Sequence, residues 1–169
     1  MFQFFYYFRK YILIGTLLLS LNISYAQQKL SFYDSLGVMP AFRFYQLNGQ
    51  IFTPDSLSKE KQIVLIYFIQ DCPYCEEQAE IVLKHLNDFT DVEFIFISRE
   101  DTAVIRNYAV IHMLAGKKQI RFVQDKERLY YKYYNASYTP SIHIYDKKLN
   151  LLLFNDGVLD DKQMLKYIK

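Results

Sequence analysis

Several residue types are scarce in this sequence, and each shortage excludes a class of protein. The 169 residues include two cysteines, no tryptophan, five glycines and four prolines. So few glycines and prolines exclude a loop-rich or low-complexity chain. With only two cysteines, the chain cannot be a small domain stabilised by several disulfides, because such domains carry more cysteines, which are spread widely and close long loops. With 51% hydrophobic residues, the chain must instead fold around an apolar core.

Neither sign of charge dominates the chain. There are 20 basic and 18 acidic residues, a formal net charge of +2. Arg9 and Lys10 account for this excess, so the rest of the chain has 20 − 2 = 18 basic residues against 18 acidic ones and is formally neutral. No run or stripe of Lys and Arg stands out. Because a nucleic-acid binder needs such a basic surface, we expect no nucleic-acid partner.

The N-terminal residues have the pattern of an export signal. Arg9 and Lys10 precede an apolar run from Tyr11 to Ile23, and Ser24-Tyr25-Ala26 follows with small residues where a signal peptidase cleaves. The run is about 13 residues long, whereas a membrane-spanning helix needs about 20. We therefore predict a signal peptide over residues 1–26 and one domain over residues 27–169. The alternative is an uncleaved signal that anchors the protein in a membrane.

The first half of the domain reads as a β-hairpin followed by a βαβ unit. Phe42 to Tyr45 and Ile51-Phe52 flank Asn48-Gly49, a strong hairpin turn. The unbroken apolar run Ile63 to Ile69 is typical of a strand buried on both faces. Helical spacing over residues 73–88 and a second apolar run at Val92 to Ile97 complete the βαβ pattern.

The second half alternates helices and strands. The predicted elements are a helix from Thr102 to Leu114 ended by Gly116, a strand from Ile120 to Val123, a helix from Asp125 to Tyr134, a hairpin of Ser141 to Tyr145 and Leu151 to Phe154, and a closing helix from Asp160 to Ile168. Together with the first half, this order predicts an α/β fold, with a mixed central sheet flanked by helices on both faces.

The two cysteines stand where a reactive thiol is expected. Cys72 follows the predicted buried strand and precedes the predicted helix, so free backbone N–H groups and the helix dipole would stabilise its thiolate. Only the thiolate attacks a disulfide. Cys75, one helical turn further, would be more buried and less ionised. Cys72 is therefore predicted to attack and Cys75 to resolve the mixed disulfide, with Pro73 and Tyr74 tuning the pair.

A second motif, Thr139-Pro140, precedes the predicted strand from Ser141 to Tyr145. This arrangement resembles the cis-proline loop of the thioredoxin superfamily, which lies against the active-site cysteines and presents backbone to an extended substrate. Although cis bonds are a minority before proline, the Cys-x-x-Cys motif upstream leads us to expect one here. Thr139 and Pro140 are accordingly predicted to belong to the site.

The chain over about residues 36–169 resembles the exported thioredoxin-like proteins of the TlpA/ResA-like, redoxin-related branch. The resemblance is most specific at Cys72-Pro73-Tyr74-Cys75 and Thr139-Pro140. It implies a thioredoxin fold with an N-terminal β-hairpin and a central α/β insertion near residues 100–119. It also implies a thiol–disulfide oxidoreductase that exchanges disulfides with substrate proteins in the bacterial periplasm or cell envelope. The enzyme would act as a reductant, need no cofactor or metal, and be recycled by a membrane reductant or a partner thioredoxin.

Three positions depart from the family pattern. Asp71 stands where the family usually has Trp, and its carboxylate should oppose the neighbouring thiolate. Ile66 occupies the position of thioredoxin's buried acid, and Gln78 the position of the glutamate of ResA-like proteins. The acid that usually handles the proton is therefore unassigned. This leaves the direction of the reaction open, and a disulfide-introducing oxidant is the opposite possibility.

A metal-binding module and an inactive scaffold compete with the oxidoreductase interpretation. A copper- or other metal-handling protein of the same fold would use the cysteine pair as ligands, but zinc normally needs four ligands and no second pair exists. We interpret His85, His112 and His143 as structural, with His85 at the surface. An inactive interaction scaffold would have no reason to keep the cysteines. Five tyrosines could line a substrate groove, although helix packing is favoured: Tyr130, Tyr131, Tyr133, Tyr134 and Tyr138.

Overall fold

A seven-stranded mixed sheet forms the centre of the computed structural model, which describes residues 37–168. The strands are β1 (Phe44–Gln46), β2 (Ile51–Phe52), β3 (Gln62–Tyr67), β4 (Val92–Ser98), β5 (Ile120–Gln124), β6 (Ser141–Tyr145) and β7 (Leu151–Asp156). The helices are α1 (Pro73–His85), α2 (Thr102–Ile111), α3 (Tyr130–Tyr134) and α4 (Asp161–Tyr167), with a short 3-10 helix at Pro54–Ser56.

The predicted signal peptide, residues 1–26, and the first ten residues of the predicted domain lie outside the described residues. From Val38 onward the chain forms one compact unit. No helix in residues 37–168 combines the length and the apolar character needed to cross a membrane.

The strand order β2-β1-β5-β4-β3-β6-β7 places β3 near the middle of the sheet. β3 runs parallel to β4, as its βαβ connection requires, and antiparallel to β6 on its other side. The β1–β2 hairpin pairs with β5 at one end of the sheet, and β7 closes the other end. The predicted mixed sheet is therefore confirmed, including both hairpins and the βαβ unit.

Side chains alternate across β3 and form two apolar layers. Val64 and Ile66 face the layer that contains α1, α2 and α4, whereas Ile63 and Leu65 face the layer that contains α3 and the hairpin. All six residues of β3 are buried, which explains its unbroken apolar sequence. Helices thus cover both faces of the sheet, as the sequence predicts, and the fold is a thioredoxin-type α/β fold.

The end of α2 differs from the prediction. The helix ends at Ile111 rather than Leu114, because Met113 adopts a left-handed conformation with φ of 54°. The Leu114 N–H donates to the Ala109 carbonyl and the Met113 N–H to the Val110 carbonyl, at 2.9 and 3.0 Å. This is the Schellman pattern, which usually has glycine in the left-handed position. The prediction that Gly116 ends this helix is therefore wrong.

Two further helices are shorter than predicted. α1 ends at His85, and the side chain of Gln119 donates to the carbonyls of Leu86 and Phe89 just beyond it. These side-chain bonds satisfy carbonyls that a longer helix would have bonded internally. α3 begins only at Tyr130, because Asp125 precedes the helix and caps it instead of forming part of it.

Candidate functional site

Cys72 and Cys75 lie where β3 gives way to α1, at the carboxyl end of the parallel strands. Cys72 is the N-cap residue of α1 and has an extended backbone. Pro73 is the first helical residue, a position that tolerates proline because its N–H would have no partner within the helix. Cys72 and Cys75 form a disulfide across one turn, with their Cα atoms 5.2 Å apart.

Backbone donors of the first helical turn surround Cys72. The Cys75 N–H lies 3.2 Å from the Cys72 sulfur and 2.9 Å from the Cys72 carbonyl oxygen. The Glu76 N–H donates to the same carbonyl at 3.1 Å. A thiolate on Cys72 would accept from the Cys75 N–H at the positive end of the helix dipole. The arrangement therefore favours ionisation of Cys72 in the reduced protein.

The two cysteines differ in accessibility. Cys72 is 8% exposed and Cys75 is 1% exposed. The sequence predicts that Cys72 is exposed. In the structure Cys72 is more accessible than Cys75 but is itself largely covered. Between them, Pro73 is exposed and Tyr74 is 64% exposed, so the dipeptide forms the outer surface of the turn.

The Thr139–Pro140 loop lies directly beside Cys72. Its peptide bond is cis, as the sequence predicts. The Cys72 sulfur is 3.9 Å from the Thr139 carbonyl oxygen and 4.0 Å from the Thr139 hydroxyl oxygen. The loop is held there because β6 starts at Ser141, which pairs with Tyr67 at the end of β3. The structure thus brings together two motifs that are 67 residues apart.

The three departures from the family pattern have distinct surroundings. Asp71 is exposed and has a left-handed backbone conformation, with φ of 55°. Its carboxylate lies 3.5 Å from the side-chain nitrogen of Gln70. Ile66 is an ordinary core residue at 1% exposure. Gln78 is fully buried; its side-chain oxygen accepts from the Leu159 N–H at 2.7 Å, and its nitrogen lies 3.3 Å from the Met164 sulfur. Gln78 therefore links α1 to the C-terminal segment.

Tyr108 is a site neighbour that the sequence patterns do not reveal. Its buried hydroxyl donates to the Cys75 carbonyl at 2.7 Å, and its ring packs 4.2 Å from the ring of Phe68. Burial raises the pKa of this hydroxyl above its ordinary value, so it stays a donor. Tyr108 lies in α2, within the segment interpreted only as an insertion. No local pattern could have revealed the contact, because it joins elements 33 residues apart.

Asp125 is a buried acid at the carboxyl end of β5. Its two carboxylate oxygens accept from the N–H groups of Leu129 and Tyr130, at 2.8 and 3.0 Å. Burial raises the pKa of Asp125, and the two backbone hydrogen bonds oppose that rise. These bonds assign Asp125 a capping role at the start of α3.

The three histidines pack against other residues of the fold, and the ring of His112 lies 4.2 Å from the ring of Tyr108. His85 is mostly covered rather than at the surface, with ring nitrogens 3.0 Å from Asp88 and 2.8 Å from Asp161. His143 is fully buried and lies 2.9 Å from the Tyr130 hydroxyl, while burial lowers its pKa to about 3. Within residues 37–168, no three His, Cys, Asp or Glu side chains gather in a group that could hold a metal ion.

The five tyrosines named as possible groove residues differ in burial, and Tyr131 and Tyr133 are half-buried. Tyr130 and Tyr134 are fully buried and stack on each other with ring centroids 4.6 Å apart. Tyr130 and Tyr134 therefore serve helix packing, which is the role that the sequence favours over a substrate groove. Tyr138 is 71% exposed, one residue before Thr139, and so lies at the surface next to the cis-proline loop.

Comparison with protein families identifies the chain. The family model described as a thioredoxin-like domain matches residues 55–169, more than half of the sequence. The chain belongs to the thioredoxin-like domain family. The match spans both Cys72-Pro73-Tyr74-Cys75 and Thr139-Pro140, so the predicted superfamily is confirmed. Family membership and the disulfide at this βα junction identify a thiol–disulfide oxidoreductase.

Solved structures share the fold at low sequence identity. A secreted Mycobacterium tuberculosis disulfide oxidoreductase homologous to Escherichia coli DsbE is 19% identical, with a TM-score of 0.64 over 80% of this chain and 96% of that one. StoA of Bacillus subtilis is 14% identical, with a TM-score of 0.60 over 79% and 99% of the two chains. The exposed lipoprotein thioredoxin Etrx1 of Streptococcus pneumoniae is 14% identical, with a TM-score of 0.61 over 76% and 98%. Comparison with curated proteins finds no match.

Proposed function

We propose that this thioredoxin-like protein is exported and reduces disulfides in substrate proteins outside the cytoplasm, with Cys72 as nucleophile and Cys75 as resolving thiol. The observation that carries this proposal is the position of the Cys72 sulfur. It lies 3.2 Å from the Cys75 N–H at the start of α1 and 3.9 Å from the Thr139 carbonyl. The first contact supports a thiolate, and the second supports docking of substrate backbone beside it.

The reaction would proceed through two exchanges. In the reduced protein, the Cys72 thiolate attacks one sulfur of the substrate disulfide; that S–S bond breaks, and the released substrate thiolate takes up a proton. Cys75 then loses its proton and attacks the Cys72 sulfur, which releases the second substrate thiolate. The substrate gains two electrons, and the protein is left with the Cys72–Cys75 disulfide. A membrane reductant or thioredoxin-type partner must then supply two electrons to regenerate the dithiol.

The remaining predicted site residues would position the substrate. An extended substrate segment that lies along the Thr139–Pro140 loop would place its disulfide next to Cys72, because the Thr139 carbonyl is already within 3.9 Å of that sulfur. Pro73 and Tyr74 form the exposed turn between the cysteines and would contact the substrate from the other side. No cofactor or metal takes part in these steps.

Two observations support export. Residues 1–26 carry the signal pattern, and two proteins with this fold are described as secreted or exposed, those of M. tuberculosis and S. pneumoniae. We propose residues 1–26 as the signal peptide, residues 27–169 as the mature thioredoxin-like domain, and the bacterial periplasm or cell envelope as its location. An uncleaved signal would anchor the same domain at the membrane.

The reduction potential of the Cys72–Cys75 couple tests the proposed direction. The protein is equilibrated with glutathione or dithiothreitol buffers, and the dithiol fraction is quantified by thiol alkylation. A potential near that of thioredoxin, about −270 mV, is expected for a reductant, whereas one near about −120 mV would show a disulfide-introducing oxidant. If no reversible transition appeared, the oxidoreductase function would be disproved and metal binding by the cysteines would be tested next.

Single-cysteine variants test the proposed roles. Cys72→Ser should abolish reduction of a protein disulfide. Cys75→Ser should accumulate a mixed disulfide between Cys72 and the substrate, visible as a reducible adduct by mass spectrometry. Retention of full activity by Cys72→Ser, or an adduct through Cys75 in the wild-type protein, would contradict the assignment.

A further inference from the structure

A small cleft of about 120 Å³ opens beside the disulfide, between the start of α1 and the end of α2. Its lining residues are Gln70, Asp71 and Glu76 on the α1 side and Asn107, Tyr108, Ile111 and His112 on the α2 side. Asp71 and Glu76 directly flank the Cys72–Cys75 segment in the sequence, and the Tyr108 hydroxyl donates to the Cys75 carbonyl at 2.7 Å, so the cleft adjoins the disulfide. The cleft is therefore a place where the substrate's flanking residues can be distinguished.

The α2 side of the cleft presents the aliphatic side chain of Ile111 beside the polar groups of Asn107 and His112. Ile111 is 63% exposed, and its neighbours Val110 and Met113 are 65% and 66% exposed. The Schellman turn at Met113 holds these side chains outward at the end of the helix. Tyr74, between the two cysteines, is exposed to a similar extent, 64%. Tyr74 on α1 and Ile111 on α2 thus both leave large side chains open to solvent near the disulfide.

The α1 side of the cleft is acidic. Asp71 and Glu76, and Glu77 next to them, are exposed, and none forms an ion pair with any residue from 37 to 168. Some acids elsewhere on the surface do have a basic partner, as Glu127 has in Arg43 at 2.7 Å. The acids beside the disulfide therefore present uncompensated negative charge to whatever docks there.

Basic residues of neighbouring elements are engaged elsewhere. Arg106 of α2 donates to the Leu47 carbonyl of the first hairpin. Arg99 follows β4 and opposes the rise in the pKa of Tyr131, so its charge acts on the α3 layer. Neither Arg106 nor Arg99 lines the cleft, whereas the imidazole of His112 lies on its α2 side.

We infer that this cleft, acidic on one side and lined by Ile111 on the other, selects substrate proteins that carry a basic residue together with an apolar residue next to the reactive cysteine. The inference rests on the proposed function and adds a substrate class to it. The apolar residue would cover Ile111, and the Lys or Arg would lie against Asp71 and Glu76. Complementary charge of this kind raises the association rate and discriminates against acidic partners.

The same cation would assist the chemistry. The Asp71 carboxylate opposes the adjacent Cys72 thiolate, and a substrate cation placed against Asp71 offsets that repulsion. A cation next to the substrate cysteine also lowers the pKa of the departing thiol, which leaves faster from the mixed disulfide. Recognition and reactivity would therefore favour the same substrates.

Two matched peptides test the inference. Each contains one cysteine followed by Leu, flanked either by two Lys or by two Glu, and each is supplied as a mixed disulfide with 2-mercaptoethanol. The reduced wild-type protein is reacted with both at about pH 8, where thiolates form readily, and released peptide thiol is quantified by chromatography. At low ionic strength, the second-order rate constant for the Lys peptide should exceed that for the Glu peptide by about 10-fold or more, and the ratio should fall below about 3 in about 0.5 M NaCl.

The charge-neutralised variant Asp71→Asn/Glu76→Gln should lower this ratio to about 2 or less. A ratio of rate constants is used because neutralising Asp71 alters the reactivity of Cys72 toward both peptides alike. The matched control Asp55→Asn/Glu60→Gln removes two exposed acids that precede β3, at the opposite end of that strand from Cys72. The control should keep the wild-type ratio.

Each outcome decides one of the two proposals. If the wild-type protein reduces both peptides at equal rates, or if the control lowers the ratio as much as Asp71→Asn/Glu76→Gln does, the inference is overturned while the oxidoreductase function stands. If the wild-type protein reduces neither peptide although dithiothreitol reduces both, the proposed function itself fails. Peptides with Ser in place of Leu test the apolar contact separately. If the wild-type protein reacts faster with the Leu peptides and Ile111→Ser does not, the contact with Ile111 is independently supported.

Discussion

The Tyr108 hydroxyl donates a 2.7 Å hydrogen bond to the Cys75 carbonyl, and this bond joins the insertion helix α2 to the first turn of the active-site helix α1. The donor is buried, and its ring is packed against Phe68. Cys75 in turn directs its N–H at the Cys72 sulfur. The insertion thereby holds the carbonyl of the same residue whose N–H would stabilise a thiolate on Cys72.

We expect Tyr108→Phe to change the redox properties of the pair without unfolding the protein. A buried hydrogen bond contributes about 0.5–1.5 kcal/mol. If its loss weakens thiolate stabilisation by that amount, the couple becomes more reducing by about 10–30 mV, because about 30 mV corresponds to about 1.4 kcal/mol. The Cys72 pKa should rise in the same variant. Both are measured in redox buffers and by pH-dependent alkylation.

Tyr133→Phe provides the control for Tyr108→Phe, because Tyr133 lies in α3 in the opposite layer. It should leave the potential within about 5 mV of the wild-type value, since no thiolate-supporting bond is lost. An unchanged potential and Cys72 pKa in Tyr108→Phe would show that the Tyr108 bond serves packing only.

Gln78→Glu should destabilise the protein at neutral and alkaline pH. Gln78 is fully buried and bonded to the Leu159 N–H, so a carboxylate there would lose its hydration. Burial would raise the folded-state pKa of the new glutamate above its unfolded value, so stability is greatest at low pH and is lost as pH rises through the folded pKa. We expect a loss of about 1–3 kcal/mol at about pH 8 relative to about pH 5, from urea unfolding of the oxidised protein. Glu77→Gln, at an exposed position, should show no such difference.

His143 should make the protein acid-sensitive. Burial lowers its folded-state pKa to about 3, against about 6.5 in the unfolded chain. Below about pH 6.5 His143 is protonated in the unfolded chain but stays neutral in the folded protein. The free energy of unfolding therefore falls as the pH falls toward about 3. The slope from this group is about 1.4 kcal/mol per pH unit. His143→Gln should remove that contribution. Its free energy of unfolding, measured with urea, should therefore fall less between about pH 6.5 and about pH 4 than that of the wild-type protein.

The His143 prediction depends on a neutral ring held by two partners. The Tyr134 carbonyl can only accept, so the nitrogen 3.1 Å away carries the proton, and the other nitrogen accepts from the Tyr130 hydroxyl. Parallel pH profiles of the wild-type protein and His143→Gln would contradict this account, because both proteins share every other titrating group.

Asp125→Ala should weaken the start of α3. The Asp125 carboxylate accepts from the Leu129 and Tyr130 N–H groups, which would otherwise lack partners at the helix start. Loss of such a cap costs about 1–2 kcal/mol. Asp125→Asn keeps one acceptor oxygen and should cost less. Thermal and urea unfolding compare the two variants, and equal losses would show that the carboxylate does not act as a cap.

Most elements of the fold could be predicted because their signals are local. Asn48-Gly49 predicts the first hairpin, and Gly49 has the positive φ, 88°, that such a turn requires. The apolar run of β3 reflects burial on both faces. The failures lie at helix ends, as at Met113, where local hydrogen bonds to Val110 and Ala109 close a left-handed turn before the chain reaches Gly116.

The sequence by itself determined the reactive pair, because a cysteine between a buried strand and a helix that starts with proline must lie at a helix N-terminus. The tertiary structure decided what surrounds that pair. Pairing of β3 with β6 brings Thr139 against Cys72, and the insertion helix brings Tyr108 against Cys75. These contacts depend on strand register and helix packing across many residues, which no local pattern encodes, because turn chemistry and hydrophobic periodicity act only over a few neighbouring residues.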